Sequence, residues 1–555
     1  MHPQIQLAIS IALETVGVSV KPANIPLAFT GELKNGDYAS SVALQHAKEA
    51  GMAPLALAEK ILAVLSEMEG VEKTDIAGPG FINFYLAKDV FAETLENILA
   101  RPEMWGRQPF DYAQGKKIMV EYTDPNPFKE FHIGHLMSNA IGESIARLLE
   151  FTGADVKRAN YQGDVGPHVA KAIWAVKNSK VPGGSWGDAY IVGNKAYETD
   201  DIAKREIEEI NAKVYARSDE LINSIYDEGR AASLAHFEDI YKVLGTKFDH
   251  YFFESETAPR GLKLVREHED VFEKSDGAIV YKGEQDGLHT RVFITSRGTP
   301  TYETKDLGLL ELKHEQGALD KSITVTAHEQ SDYFKVMIAA ANHLPEVRDI
   351  ASKTRHVTHG MMRFAEGKMS SRTGNVITGE SLLEDIAEAA RERASESRAE
   401  DVATLAQDIA VGAIKYQILK QSSGKDIVFD RARALSLEGD SGPYLQYTYA
   451  RASQVFAKAA GEGIRPAVEH LSEPLDLVRL MYRFPAVVER AAEEMEPHLV
   501  TNFLIEFAAA FNRWYAQVRI VDGKDAPHKV AITDAARITL RQGLYLIGIP
   551  APEKM

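Results

Sequence analysis

One stretch of twelve residues constrains this chain more than any other. Asp124-Pro-Asn-Pro-Phe-Lys-Glu-Phe-His-Ile-Gly-His135 lies between two apolar segments. Lys116–Tyr122 before it reads as a buried strand, and Leu136–Phe151 after it repeats apolar residues at helical spacing. A strand that runs through a loop into a helix is the unit from which parallel sheets are built. Ala154–Tyr161 reads as the next strand and Ser322–Ala327 as a later one, so a doubly wound α/β sheet is expected over residues 116–380. Such sheets take ligands beyond the carboxyl ends of their strands, where this loop would lie. His132 and His135 flank the first helical turn, and imidazole N–H groups, free backbone N–H groups and the helix dipole suit phosphate oxygens there. Gly134 leaves out a side chain, so a flat base or ribose can approach the backbone. Out of context the same residues would make an ordinary surface loop with two histidines; the strand before them and the helix after them favour a ligand site.

The rest of the chain sets bounds on this reading. Its 555 residues correspond to three or four domains at roughly 100–200 residues each. There is no cysteine, which excludes disulfides, thiolate zinc sites and a cysteine nucleophile. No run of about 18 apolar residues is free of charge, so no membrane-spanning helix is expected. The start, MHPQIQLAIS, lacks the basic region and cleavage site of a secretory signal, and a cytoplasmic location is expected. The net charge of −17 disfavours a protein that coats nucleic acid non-specifically, yet leaves room for one RNA held by local basic patches.

Four zones are expected. Residues 1–110 mix helices at Ser41–Glu49 and Pro54–Glu69 with a strand at Phe81–Leu86, and end in a linker over Arg101–Gly115. Residues 116–380 form the α/β core, with a polar, helical insertion at about 180–270. Residues 381–430 open with the charge run Glu384–Asp401, which reads as a solvated helix face. Residues 431–555 carry long helical patterns such as Leu475–Glu496 and Leu504–Val521. A second chemical segment, Glu366-Gly-Lys-Met-Ser-Ser-Arg-Thr-Gly-Asn375, has the lysine, serines, arginine and flanking glycines of a loop that closes on phosphates.

The two segments together resemble the HIGH and KMSKS signatures of class I aminoacyl-tRNA synthetases. The flanking residues are most similar to the arginyl-tRNA synthetase family: Pro125-Asn126 and Lys129 before the first histidine, Gly163-Asp164-Val165-Gly166, Phe253-Glu254-Ser255, Tyr302-Glu-Thr-Lys-Asp306 and the run Asp426–Tyr447. The resemblance covers essentially the whole chain. It implies a doubly wound, Rossmann-like class I catalytic core with an α+β N-terminal domain and an all-α C-terminal anticodon-binding domain. It implies an aminoacyl-tRNA ligase that joins L-arginine to tRNA(Arg) at the expense of ATP, with Mg²⁺ accompanying the nucleotide and no zinc or other protein-held metal. A monomer is expected. His132, His135, Lys129 and Lys368 would be catalytic, and Gly134, Met369, Ser370, Ser371 and Arg372 would join the histidines around ATP. Asn126, Glu254, Tyr302, Asp306 and Gln330 would hold arginine, the carboxylates facing the planar five-donor guanidinium. The i, i+4 spacing of Tyr302 and Asp306 puts phenol and carboxylate on one helix face. One departure stands out: the fourth position of KMSKS is Ser371, and the resemblance implies that Lys129 replaces the missing lysine.

For tRNA, Asn83, Phe84 and the Asp37-Tyr38 turn are candidate contacts in the first zone, with a structural role the equal alternative, and Asn512, Trp514, Tyr545 and Met555 are candidates in the last. From Glu506 to Met555 basic residues outnumber acidic ones, and aromatic rings stack on single-stranded bases. Phe507, Phe511 and Trp514 also recur at helical spacing, so core packing is the competing reading for Trp514. Two rival functions remain at this point, another nucleotidyl-transferring enzyme with a HIGH-type site and a non-catalytic RNA-binding relative. Filter binding is expected to show tRNA affinity falling steeply as salt rises, because phosphate contacts release counterions; a flat salt dependence would remove tRNA as the partner.

Overall fold

Ile118, Met119 and Val120 are buried on both faces of the strand Lys117–Glu121, as the centre of a parallel sheet requires. In the computed structural model this strand lies in the middle of five parallel strands. Their order is Thr354–His359, Lys321–Ala327, Lys117–Glu121, Asp155–Gln162, His250–Phe253. The winding reverses between Lys117–Glu121 and Lys321–Ala327, which pair in register so that Glu121 faces Thr324. This is the switch point at which doubly wound sheets bind ligands. The structure describes residues 1–65, 68–107, 113–181, 184–365, 377–394, 401–468 and 476–555. Lys368, Met369, Ser370, Ser371 and Arg372 lie outside the described residues.

Between the second and third strands come four helices, Pro167–Lys177, Trp186–Thr199, Asp201–Ala216 and Glu220–Leu244, with an apolar core of their own around Ile173, Trp174 and Ile207. The helical insertion expected over about 180–270 therefore stops at Leu244. His250–Phe253 is a strand of the main sheet, and Glu254–Glu267 is a helix packed on it. A four-residue strand, His-Tyr-Phe-Phe, is too short to display a period in sequence. A three-stranded antiparallel sheet follows (Glu273–Ser275, Ala278–Tyr281, Arg291–Ile294), which the pattern of residues did not announce.

The helices Glu254–Glu267 and Tyr302–Glu315 cross with their main chains in direct contact. A Cβ on Gly261 would stand 1.7 Å from the Thr304 carbonyl oxygen, and one on Gly308 would stand 2.1 Å from that of Thr257. Only glycine permits this approach, and it brings Glu254 and Asp306 to one end of the sheet.

The chain divides into two compact units. One holds the parallel sheet (residues 107–447, 488–502 and 543–555). The other gathers residues 1–106 with 448–487 and 503–542. Its antiparallel sheet runs Ala28–Phe29, Tyr38–Ser40, Phe81–Leu86, Val71–Ala77. The N-terminal segment and much of the C-terminal helical region thus share a unit, rather than standing as the separate 1–110 and 431–555 blocks expected. Asp37 and Arg483 hold it together. Asp37 accepts from Arg479 Nε at 2.8 Å and from the Leu86 N–H at 2.9 Å, and Arg483 donates to the Thr30 carbonyl at 2.9 Å. Partners more than 400 positions apart leave no local signal in sequence.

Gly308→Ala is expected to lower unfolding stability by about 2–3 kcal/mol in urea titration, since its methyl must push two helices apart, and to weaken arginine binding in parallel. An unchanged midpoint would show that the crossing tolerates separation.

Candidate functional site

The loop after Glu121 is strained and tightly held. Thr123, Asp124 and Phe128 have φ of 81°, 49° and 69°, a region non-glycine residues rarely occupy. Each is fixed by a hydrogen bond from outside the loop or to it. The Thr123 N–H donates to Ser138 Oγ at 2.9 Å, the Phe128 N–H donates to Ser233 Oγ at 3.0 Å, and Asp124 Oδ1 accepts the Tyr161 N–H at 2.8 Å. The loop delivers His132 to the N-cap of the helix Ile133–Phe151.

There the His132 N–H donates to His135 Nδ1 at 3.1 Å. A backbone N–H can only donate, so Nδ1 carries no proton and the neutral His135 ring holds its proton on Nε2. Burial holds His135 neutral well below the usual histidine range, and burial with the nearby Lys129 charge lowers His132 to about 4. The two rings stack with centroids 3.4 Å apart. At neutral pH they are therefore uncharged N–H donors beside the positive end of a helix dipole. A Cβ on Gly134 would come within 3.0 Å of the His132 ring, so glycine lets that ring lie against the turn.

Acidic groups gather beside this helix start. Asp306 is 8% exposed, one turn into the helix from Tyr302, which is 67% exposed at the rim. Glu254, at the first position of its own helix, is buried and receives Lys305 Nζ at 2.5 Å. Glu121, the last residue of the central strand, is buried and receives Lys313 Nζ at 2.8 Å. Burial and the Glu121 and Glu254 charges raise Asp306 well above the ordinary aspartate range. The Tyr333 hydroxyl lies 3.2 Å from Gln330 Oε1 and also reaches Asp306.

One cavity of about 270 Å³ has Asn126, His132, Gly134, His135, Glu254, Tyr302, Asp306 and Gln330 in its wall, at the carboxyl ends of the two strands flanking the switch point. The Asn126 amide is oriented by its Oδ1, which accepts the Gly163 N–H at 3.1 Å, and a Cβ on Gly163 would collide with that oxygen at 2.3 Å. Asp164 beside it ties three elements together: it accepts from the Ser255 N–H and Oγ, both at 2.8 Å, and from Arg230 Nε at 2.9 Å. That explains the Gly-Asp-x-Gly step structurally. Lys129 is not part of the cavity wall. It is half-buried with Nζ 5.1 Å from the centre of the Tyr190 ring, and burial with the Lys171 charge lowers it.

Sequence reasoning missed Glu121, Asp124, Tyr161, Lys313, Tyr333 and His359, which also line the cavity. Lys305 was legible, lying inside the Tyr302–Asp306 motif itself. Asp124 too was within reach, since it opens the stretch Asp124–His135; the others sit on strands and helices that form the site only when the sheet assembles.

The expected tRNA contacts fare differently. Phe84 is fully buried, and Asn83, Asp37 and Tyr38 are buried with it. Both faces of the strand Phe81–Leu86 are covered at its middle, and Phe81 is the exposed ring. Asn512 is engaged within its unit, donating to Thr448 Oγ1 at 2.9 Å and accepting from Arg451 Nη1 at 2.5 Å. Trp514 is partly buried against Ala459, Ile520 and Val530. Tyr545 and Met555 are half-exposed, Tyr545 with Arg147 over its ring at 4.9 Å.

A doubly wound sheet with paired imidazoles at the first helix start and a remote phosphate-loop signature defines the class I tRNA synthetase architecture. The profile of the catalytic domain of class I (R) tRNA synthetases matches residues 94–431. The arginyl-tRNA synthetase N-terminal domain matches residues 3–86, and the DALR anticodon-binding domain matches residues 445–555. The chain is 31% identical to the arginine–tRNA ligase of Clostridium acetobutylicum over 94% of both chains, and 30% identical to that of Treponema denticola over 92% of this chain and 91% of that one. It superimposes on the Thermus thermophilus arginyl-tRNA synthetase with a TM-score of 0.81 at 26% identity, each chain covered in full. The chain belongs to the arginyl-tRNA synthetase family.

Asp306→Ala is expected to raise the arginine KM at least about tenfold, the loss of a charged hydrogen bond of roughly 1.4 kcal/mol or more, with the ATP KM little changed. Steady-state kinetics with an unchanged arginine KM would contradict the assignment of this carboxylate.

Proposed function

We infer that the chain is an arginine–tRNA ligase that works through the cavity at the switch point. The observation that carries this reading is that one cavity combines the neutral His132–His135 pair at a helix N-terminus with the buried carboxylates Glu254 and Asp306. The first step joins an oxygen of the arginine carboxylate to the α-phosphorus of ATP. The bond to the β-phosphate oxygen breaks, and pyrophosphate leaves. In the second, a hydroxyl of the terminal adenosine of tRNA(Arg) attacks the acyl carbon and AMP departs.

Neither step needs a protein nucleophile. Catalysis lies in positioning and in donors aimed at the phosphate oxygens. His132 and His135 supply neutral N–H donors beside the helix dipole, and Gly134 lets the nucleotide approach the turn. The guanidinium lies toward Asp306 and Glu254, with Tyr302 at the mouth, while Asn126 and Gln330 hold the amino-acid head. Lys129 supplies the charge absent at Ser371; its influence on both His132 and Glu254 supports that role. Lys368, Ser370 and Arg372, which lie outside the described residues, belong to the same phosphate-binding signature. Mg²⁺ arrives with ATP, on phosphates and water rather than in a protein cage.

Aminoacylation of total tRNA with labelled arginine tests substrate, partner and reaction together. Charging is expected with arginine and not with the other amino acids, and ATP–pyrophosphate exchange is expected to stay silent until tRNA is added. Charging of a different amino acid would overturn the reading.

A further inference from the structure

The cavity holds more acid than base. Four carboxylates, Glu121, Asp124, Glu254 and Asp306, lie in its wall. Two ammonium groups pair with them directly, Lys313 with Glu121 at 2.8 Å and Lys305 with Glu254 at 2.5 Å, while Lys129 acts on Glu254 from outside the cavity wall. Among the described residues neither Asp306 nor Asp124 has a cationic partner. Asp124 is at least served by the Tyr161 N–H at 2.8 Å. Asp306 has only hydroxyl company, from Tyr333.

Isolated buried carboxylates do not stay ionised beside other anions, because desolvation and like-charge repulsion act in the same direction. The groups that face Asp306 come from every element around it. Glu121 lies at the end of the central strand, Asp124 in the loop after it, Tyr161 on the next strand, Glu254 at the start of the neighbouring helix, Lys313 two turns along Asp306's own helix, and Tyr333 on the helix Ser331–Asn342; Asp124, buried beside the same Glu121 charge and Asp306, is itself pushed well above the ordinary aspartate range. Lys313, the ammonium that acts on Asp306, is already paired with Glu121. With Glu121 and Glu254 each paired to a lysine, the excess negative charge of the empty slot falls on Asp124 and Asp306, and protonating Asp306 removes one of those two charges.

We propose that arginine enters this slot in exchange for a proton: Asp306 is a carboxylic acid in the empty enzyme, and its O–H bond breaks to release one proton to solvent as the guanidinium cation arrives. The balance is simple. One positive charge enters and one leaves, so the buried slot has the same net charge empty and filled. The guanidinium itself cannot supply or accept the proton, because it remains charged throughout the accessible pH range. This deepens the arginine–tRNA ligase reading and rests on it. It also makes Asp306 a selector for charge. A neutral isostere with a ureido head gains nothing from ionising Asp306, and so meets a protonated acid.

Burial and the flanking Glu121 and Glu254 charges, which hold Asp306 well above the ordinary aspartate range, agree with a protonated empty state. The sign of the linkage follows. A ligand that requires the ionised form binds more weakly below the carboxyl's pKa in the empty enzyme, by about tenfold per pH unit, and reaches a plateau above it.

Isothermal titration of the full chain with L-arginine tests this, in two buffers of different ionisation enthalpy at each of several values between about pH 6 and pH 9. Release of close to one proton per arginine is expected on the acid side, falling toward zero as pH rises, with Kd falling in step. Arginine binding without proton exchange at any of these values would overturn the proposal and leave the ligase reading intact. Failure to bind or charge arginine at all would overturn both. In Asp306→Asn, checked for an unchanged thermal midpoint, proton release and the pH dependence of Kd should disappear; a proton still released by that variant would assign the exchange to Asp124 and refute the role given to Asp306.

Discussion

A buried ion pair at the switch point organises the catalytic unit. Glu121 ends the central strand, Lys313 reaches it from the helix Tyr302–Glu315, and both are almost wholly withdrawn from water. Such a pair is costly to desolvate, and losing either partner would leave a buried charge uncompensated. It therefore ties the strand and the helix to one register. Asp306 sits on the same helix two turns earlier, so the pair that fixes Lys313 also fixes the depth of Asp306 in the cavity. The glycine-mediated crossing adds the second coordinate by bringing Glu254 alongside. The acidic side of the cavity is thus built on helices and a strand rather than on loops, which favours a narrow geometry.

The phosphate side of the cavity follows a different principle. Positive side chains are not what meets the nucleotide at the helix start; burial keeps both histidines neutral. A neutral imidazole whose Nδ1 is already engaged presents a fixed N–H donor, and the helix dipole adds partial positive charge without an ion to desolvate. This arrangement suits a reaction in which the triphosphate must be held before the bond breaks and pyrophosphate must leave afterwards. The strained turns at Thr123, Asp124 and Phe128 are the cost of aiming the first histidine, and hydrogen bonds to Ser138 and Ser233 and from the Tyr161 N–H hold them in place.

The unit that contains the N-terminal segment depends on polar burial as well. Asp37 and Tyr38 resemble surface turn residues in sequence, yet Asp37 is the acceptor for Arg479 and for the Leu86 amide, and the Tyr38 hydroxyl lies 3.2 Å from that of Tyr482. A short, charged turn is locally indistinguishable from a nucleic-acid contact. What separates the two is the arrival of the helix Asp476–Glu494, which brings Arg479, Tyr482 and Arg483. Phe84 is buried for a related reason: alternation along a strand leaves one face to solvent only when that side of the sheet is bare, and both faces are covered at the middle of this strand.

The amino-acid sequence alone determined the class of fold, the strand–loop–helix around His132 and His135 and the family, and it supplied the residue types proposed for arginine and ATP. Those features are local, or they are short motifs whose chemistry demands particular residues at fixed spacing. Tertiary structure alone decided which charges meet. Lys313 finds Glu121 and Lys305 finds Glu254 across separations of many residues, and these pairings leave Asp306 without a cation among the described residues. Periodicity can put a carboxylate on a helix face. It cannot say which cations other elements will bring to it, because burial, repulsion and protonation depend on every charge gathered within a few ångströms, whatever its distance along the chain.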